Sequence, residues 1–283
     1  MANIRLLRRR IRSIQSTAKI TKAMETIAAS KMRRAQEDDL AGRPYAEKIQ
    51  QVLADLAAQP RGVTHPLLER RETKRIEVIH ITADRGLCGG LNINMNRSTA
   101  NFILGHVAPS VLITVGRKGR DYMMRYRREV RAEFTGISDR PSLADTLPIS
   151  RIVIDDYSNG FVDLVYLAYT QFVTTMTQRP VLRQLLPVEP AKVAHRGEIE
   201  YIYEPSSKMV LAQLLPRFVE MEVYHALLES IASEQSARMV AMRNATDNAN
   251  ELVRDLTVMY NKARQEMITT ELLDITGGAE ALA

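Results

Sequence analysis

Between a β-rich run and a helical pattern, residues 83–92 read ADRGLCGGLN. Glycine loops leading from a strand into a helix are where backbone amides cradle phosphates. The stretch has neither G-x-G-x-x-G nor G-x-x-x-x-G-K-[ST], and no lysine follows it. The spacing therefore predicts a tight turn made by Gly86, Gly89 and Gly90. Asp84 and Arg85 could pair locally or meet a partner, and their types do not choose between these. His65, His80, His106, His195 and His225 are scattered without metal-ligand spacing. Asp155 and Asp156 are adjacent, so on a helix they diverge, and they read as surface acids. Cys88 has no identifiable base and reads as a packing or spectator thiol. No Ser/His/Asp set stands out. The expectation is a chain with no catalytic, cofactor-binding or metal residues.

Composition narrows the class. The 283 residues carry a net charge of +6 and are 45% hydrophobic, enough for one or two domains with a sizeable core. Aromatics are sparse and methionine plentiful, which favours adaptable surfaces over rigid anchors. A single cysteine excludes an intrachain disulfide and fits a reducing compartment. No apolar run reaches the roughly 18–20 residues of a membrane span. If the chain works at a membrane, it works beside it. The first 36 residues hold ten Lys/Arg, Arg5 to Arg34, against the single acid Glu25. That start could suggest an organelle transit peptide, but the helical pattern runs on without a cleavage-like break. The arginines also interrupt any secretory apolar region.

The elements that could position chemistry are dominated by two helices. Residues 4–41 contain no Gly or Pro, and Ile4, Leu7, Ile11, Ile14 and Ala18 recur at intervals of three and four. The pattern resumes after GRPY through Ile49, Val52, Leu53 and Leu56, giving about 80 Å of helix to near Pro60 at ~1.5 Å per residue. A second helix is expected to start at Ser206 or Ser207, to bend at Pro216 and to stop at Gly277-Gly278. Within it Met242, Ala249, Leu256 and Ala263 are seven apart, with Ala245, Leu252 and Met259 as the complementary set of a left-handed coiled coil. Two such helices cannot both wrap one ordinary domain, so the expectation is that they pair. Small polar residues from Ser236 to Asn250 make the pair thin and weakly adhesive outside. That describes either a solvated coiled coil or a slender shaft enclosed by other chains.

The middle alternates strand and helix. Strands are predicted at 75–82, 110–116, 128–134, 161–173, 179–188 and 198–205, and helices at 91–104, 117–127 and 143–157. The fold class is α/β: a long antiparallel coiled coil of N- and C-terminal helices plus a Rossmann-like α/β domain with a mostly parallel sheet. The boundaries are 1–58 for the first helix, 72–204 for the α/β domain and 206–276 for the second helix, which pairs with 1–58.

Four blocks, SIQSTAKITKAMETIAASKMRRAQ, ADRGLCGGLN, ASEQSARMVAMRNATDNANELV and YNKARQEMITTELLDITGGAEAL, stand in order along the chain. Together they closely resemble the γ subunit family of F-type ATP synthases. The resemblance implies a non-catalytic rotor, with the helix pair held in a hexameric ring of α and β subunits. It implies a foot that binds the ε subunit and the membrane ring of c subunits, at the cytoplasmic face of a bacterial plasma membrane. Ion flow through the c ring would then drive ATP synthesis in the α/β ring. By motif it implies ring contacts at Arg264 and Gln265 in KARQ, and at Met24 and Arg238 in the neck with Thr269 nearby. Glu271 would lie at the tip, and Tyr203 and Glu204 in YIYEP would contact the c ring. It implies no cofactor and no nucleic acid. The regulatory cysteine pair of the chloroplast version has no counterpart here.

Two other readings remain to be separated. A basic coiled coil with pI near 9.5 could bind nucleic acid or act as a scaffold, although its basic segment has no stacking aromatics. A nucleotide enzyme built on DRGLCGG would need a ligand site at that loop.

Overall fold

The computed structural model describes residues 4–57, 65–189, 204 and 206–280. In chain order these form α1 (Ile4–Ala57), a 3-10 turn (Pro66–Leu68), β1 (Ile76–Ile81), α2 (Leu91–Gly105), β2 (Ser110–Val115) and α3 (Arg117–Arg125). There follow β3 (Val130–Phe134), α4 (Leu143–Ser158), β4 (Leu164–Phe172), β5 (Gln178–Leu186) and α5 (Ser207–Glu280). The sequence-predicted strand at 198–205 lies outside the described residues, apart from Glu204.

The chain divides into two compact units, residues 1–28 with 239–283, and residues 29–238. The second is a five-stranded sheet in the order β3-β2-β1-β4-β5. β1 pairs in parallel with β2 and β4, β2 with β3, and β5 closes the edge antiparallel to β4. All six residues of β1 are buried, as a central parallel strand with both faces covered requires. Ile76 and Val78 face one core with Leu112, Met95 and Ile103 of α2 and Met123 of α3. Ile79 and Ile81 face the other, with Val153 and Tyr157 of α4, Leu215, Val219 and Leu227 of α5, and Ile49 and Leu53 of α1.

Buried polar groups are mostly partnered. His80, fully buried, meets Asn96 Oδ1 at 2.8 Å and Thr99 Oγ1 at 3.1 Å on α2. Asp156 is buried rather than a surface acid, because Arg131 on β3 grips both its oxygens (3.1 and 3.2 Å); Asp155 stays exposed. Glycine at position 42 of α1 admits His225 of α5, since a Cβ there would stand 2.6 Å from the imidazole Cε1. His225 Nδ1 lies 3.0 Å from Asp39 Oδ1 across the same contact.

The first unit is a two-helix coil. Thr21 and Thr246 hydroxyls lie 2.7 Å apart and Arg243 Nε donates to Glu25 Oε1 at 3.1 Å, so residue numbers rise on one helix as they fall on the other. The helices are antiparallel.

The seam corrects one expectation. Met242 and Ala249 are buried as predicted, and Leu256 and Ala263 are half-buried. The complementary set is Thr246, Val253 and Tyr260, because Leu252 and Met259 are 51% and 58% exposed. Both sets satisfy heptad spacing. The polar one wins because the Thr246 hydroxyl finds Thr21 inside the seam. The Gly277 stop is also overturned: α5 runs through to Glu280. A helical glycine costs only about 1 kcal/mol, too little to end a long helix unaided.

Candidate functional site

The shaft is assembled residue by residue. On α1 the inward positions are Ile4, Leu7, Ile11, Ile14, Ala18, Thr21, Glu25 and Ala28, alternating three and four apart. The Thr21–Thr246 pairing extends in register to set Ala18 level with Ala249, and Ile4 level with Ala263. Small residues bring the backbones close but bury little area, so the coil gains less per turn than a leucine seam. Glu25 compensates as a clamp. Its carboxylate accepts from Lys22 Nζ (3.0 Å) and Arg243 Nε, and the Lys22 hydrogen bond, then Arg243, holds its pKa below the ordinary value despite burial.

Past Ala263, α5 extends beyond the level of Ile4, the first described residue of α1. Residues 264–277 are all exposed, among them Ile268, Leu272, Leu273 and Ile275. Arg264, Gln265, Thr269 and Glu271 lie on this segment, and Thr269 Oγ1 donates back to the Gln265 carbonyl at 2.9 Å. Met24 is half-buried on the coil. The register sets it level with Arg243, and Thr269 is 26 residues farther along α5, roughly 39 Å at ~1.5 Å per residue. Thr269 therefore stands with Gln265 and Glu271, not beside Met24. Glu204 is exposed, and Tyr203 lies outside the described residues.

Arg238 belongs to the sheet unit. Its side chain is 11% exposed, donates to Glu234 Oε1 at 2.5 Å and reaches the Gly86 carbonyl at 3.3 Å. Burial raises the Glu234 pKa, and the facing guanidinium opposes that rise. This contact bears on the glycine loop. In doubly wound sheets, ligands bind outside the carboxyl ends of the strands at the switch in strand order, here between β1 and β4. α5 closes on that region from both loops. Arg238 meets the β1 loop, and Ser236 Oγ donates to Thr175 O in the β4–β5 hairpin at 2.7 Å. Ser233 Oγ donates to Thr170 O at 3.0 Å. The small polar residues that read as a bare outer face at Ser236 are thus internal fasteners, and nothing in their local spacing signals it.

The loop itself is a closed turn. Gly89 takes a φ of 58° as expected, but the second left-handed residue is Leu87 (φ 64°), not Gly86 or Gly90. Asn92 ties it down, accepting from Ala83 N at 3.1 Å and donating to Cys88 Sγ at 3.2 Å. Burial raises the Cys88 pKa, which keeps the thiol protonated and a weak nucleophile. Asp84 is held within the chain, its oxygens accepting from Arg117 N (2.9 Å) and Gly136 N (2.7 Å). Among the described residues no group of three or more His, Cys, Asp or Glu is placed to hold a metal, and no helix is long and apolar enough to cross a membrane.

Comparison with known proteins completes the picture. The ATP synthase family matches residues 3–282. An ATP synthase gamma chain of Dehalococcoides mccartyi is 63% identical over 285 residues, covering 100% of both chains. One from Herpetosiphon aurantiacus is 50% identical, covering 100% of this chain and 99% of its own. Among solved structures, a chain of the Tetrahymena thermophila mitochondrial ATP synthase central stalk and c-ring is 27% identical with a TM-score of 0.64, over 80% of this chain and 99% of that one. A chain of the Euglena gracilis mitochondrial ATP synthase, 20% identical, shares the fold at a TM-score of 0.70, over 99% and 94%. The nucleic-acid reading finds no support in these relatives. An antiparallel helix pair from the two chain ends, a Rossmann-like sheet between them and full-length identity above half place the chain in the ATP synthase gamma chain family.

Proposed function

We propose that the chain is the non-catalytic central stalk of an F1Fo ATP synthase, turning inside the α/β ring. It would be carried with ε by the c ring, at the cytoplasmic face of a bacterial plasma membrane. The observation that supports this best is the exposed end of α5. A helix with Ile268, Leu272, Leu273 and Ile275 exposed, and with no partner among the described residues, suits enclosure by other subunits. Ile268, Leu272 and Ile275 stand at i, i+4 and i+7 on one side of the helix, with Leu273 off it and Arg264 and Glu271 flanking the stripe. Torque needs two helices that do not slip, and the Thr21–Thr246 and Glu25–Arg243 contacts resist sliding along the seam. The ring contacts are proposed at Met24, Arg264, Gln265, Thr269 and Glu271, with Tyr203 and Glu204 meeting the c ring. Arg238, held by Glu234, acts by positioning the neck around it.

A non-catalytic role also agrees with the way α5 meets the loops at the sheet's switch point. The test is reconstitution with α and β subunits and a probe on the sheet unit. ATP-driven turning in one sense is expected. ATP hydrolysis or micromolar nucleotide binding by the chain alone would contradict the assignment.

A further inference from the structure

The loop from β3 to α4 reads GISDRPS over residues 136–142, and both of its ends are fixed. Gly136 turns with a φ of 75°, and its N–H donates to Asp84 Oδ2 at 2.7 Å. At the other end Pro141 is buried, and Ser142 caps α4 in a reciprocal box with Asp145. Ile137 packs against the core shared by α1, α4 and α5. Ser138, Asp139 and Arg140 are exposed between these anchors.

The exposed residues reach both long helices. Asp139 Oδ2 accepts from Lys31 Nζ on α1 at 2.5 Å, and its Oδ1 from Gln235 Nε2 on α5 at 3.3 Å. Arg140 donates through Nε and Nη2 to both oxygens of Asp38 on α1, at 3.2 and 3.4 Å. Tyr224 of α5 donates its hydroxyl to the Pro141 carbonyl at 3.4 Å. Lys31 and Asp38 are about two turns apart and share a side of α1, and Tyr224 and Gln235 are about three turns apart and share a side of α5. Asp139 thus ties α1 to α5 at one level, and Arg140 with Pro141 ties them again at a second. The sheet unit spans residues 29–238, and Lys31 and Gln235 each lie within one turn of its limits.

We propose, resting on the reading of the chain as a turning stalk, that residues 136–142 are a strap through which the sheet and the two helices transmit torque. Asp139 and Arg140 are its positioning residues. Burial of Ala35, Leu227 and Ile231 holds the helices in the core, but apolar burial has no direction. Hydrogen-bonded ion pairs do have direction, and they fix how far one helix slides or twists on its neighbours. Their exposure separates this role from ordinary stabilisation. The Lys31–Asp139 and Arg140–Asp38 pairs stand partly in water, where an ion pair adds little to folding stability. Contacts of this kind, set where both helices leave the sheet unit, matter under load.

The test uses the full chain assembled with α and β subunits, with the ring fixed and a bead on the sheet unit. At limiting ATP the bead pauses between steps, and its angular variance during a pause falls as the stalk stiffens. Asp139→Asn with Arg140→Gln is expected to raise that variance about twofold, at the lower end of what breaking links in a contact network costs. The melting temperature should stay within about 3 °C, as the loss of exposed pairs implies. Arg140→Gln alone, the milder change, should raise the variance less. The charge exchange Asp38→Arg with Arg140→Asp should restore the narrow spread that either substitution alone loses. Unchanged variance in the first variant would overturn the proposal. So would a rise that the exchange does not rescue, or one that comes only with a large fall in melting temperature. Absence of turning by the unaltered chain would instead overturn the stalk reading, and the strap with it.

Discussion

His80 and Glu77 lie three residues apart on β1, and burial acts on them in opposite directions. His80 is pushed down to about 4, against the partial help of Asn96, and Glu77 is pushed up to about 8 by burial and by nearby Asp156. Both Glu77 oxygens are buried without a hydrogen-bond partner. Between about pH 4 and 6.5 the unfolded chain holds the histidine proton that the fold excludes, so His80 makes stability rise with pH. Between about 4.5 and 8 the fold holds the Glu77 proton that the unfolded chain loses, so Glu77 makes stability fall as pH rises. The two offset up to about 6.5, above which the Glu77 decline stands alone. Urea melts of Glu77→Gln should lose the decline between about pH 6.5 and 8; an unchanged slope would show that Glu77 titrates normally. At the coil, Thr21→Val should cost about 0.5–1.5 kcal/mol, and combining it with Thr246→Val should cost less than the sum of the two. Strict additivity in that double-mutant cycle would mean the hydroxyls do not interact. Residues of this kind were poorly legible in the sequence. Thr246 and Asp156 look like surface residues until their partners, 225 and 25 residues away, are known.

At the scale of elements, periodicity carried most of the information. β1 and β2 are short apolar runs bounded by charge or glycine, and both emerge as central strands. Ile4 to Ala18 mark the inner face of α1 because those residues are apolar. On α5 apolarity misleads, since Leu252 and Met259 are exposed while Thr246 is buried. Only the facing helix decides between two heptad sets of equal spacing. Gly42 makes the same point from the other side. Helix propensity alone predicts that Gly42→Ala stabilises α1 by about 1 kcal/mol. The close approach of His225 instead predicts destabilisation of about 1–3 kcal/mol, read as a lower urea midpoint. A gain in stability would show that α1 and α5 can separate there without cost.

For the whole molecule, the ordered sequence blocks revealed the family, whereas composition alone left a scaffold or a nucleic-acid binder open. What no local pattern conveyed is that α5 serves both units: before Arg238 it covers the sheet, and beyond it pairs with α1 before an exposed end at 264–277. Deleting residues 264–280 should leave the melting temperature of the isolated chain within about 2 °C, because residues 264–277 are all exposed. The same deletion should weaken coupling of ATP hydrolysis to turning in the reconstituted complex. The most direct measurement joins the helices covalently. In a Cys88→Ala chain, Thr21→Cys with Thr246→Cys sets two thiols where the hydroxyls are 2.7 Å apart. Oxidised within the α/β ring, the pair should cross-link and ATP-driven turning should continue, because both helices move as one body. Failure to cross-link, or turning that stops when the bond forms and resumes on reduction, would contradict a shaft built from these two helices.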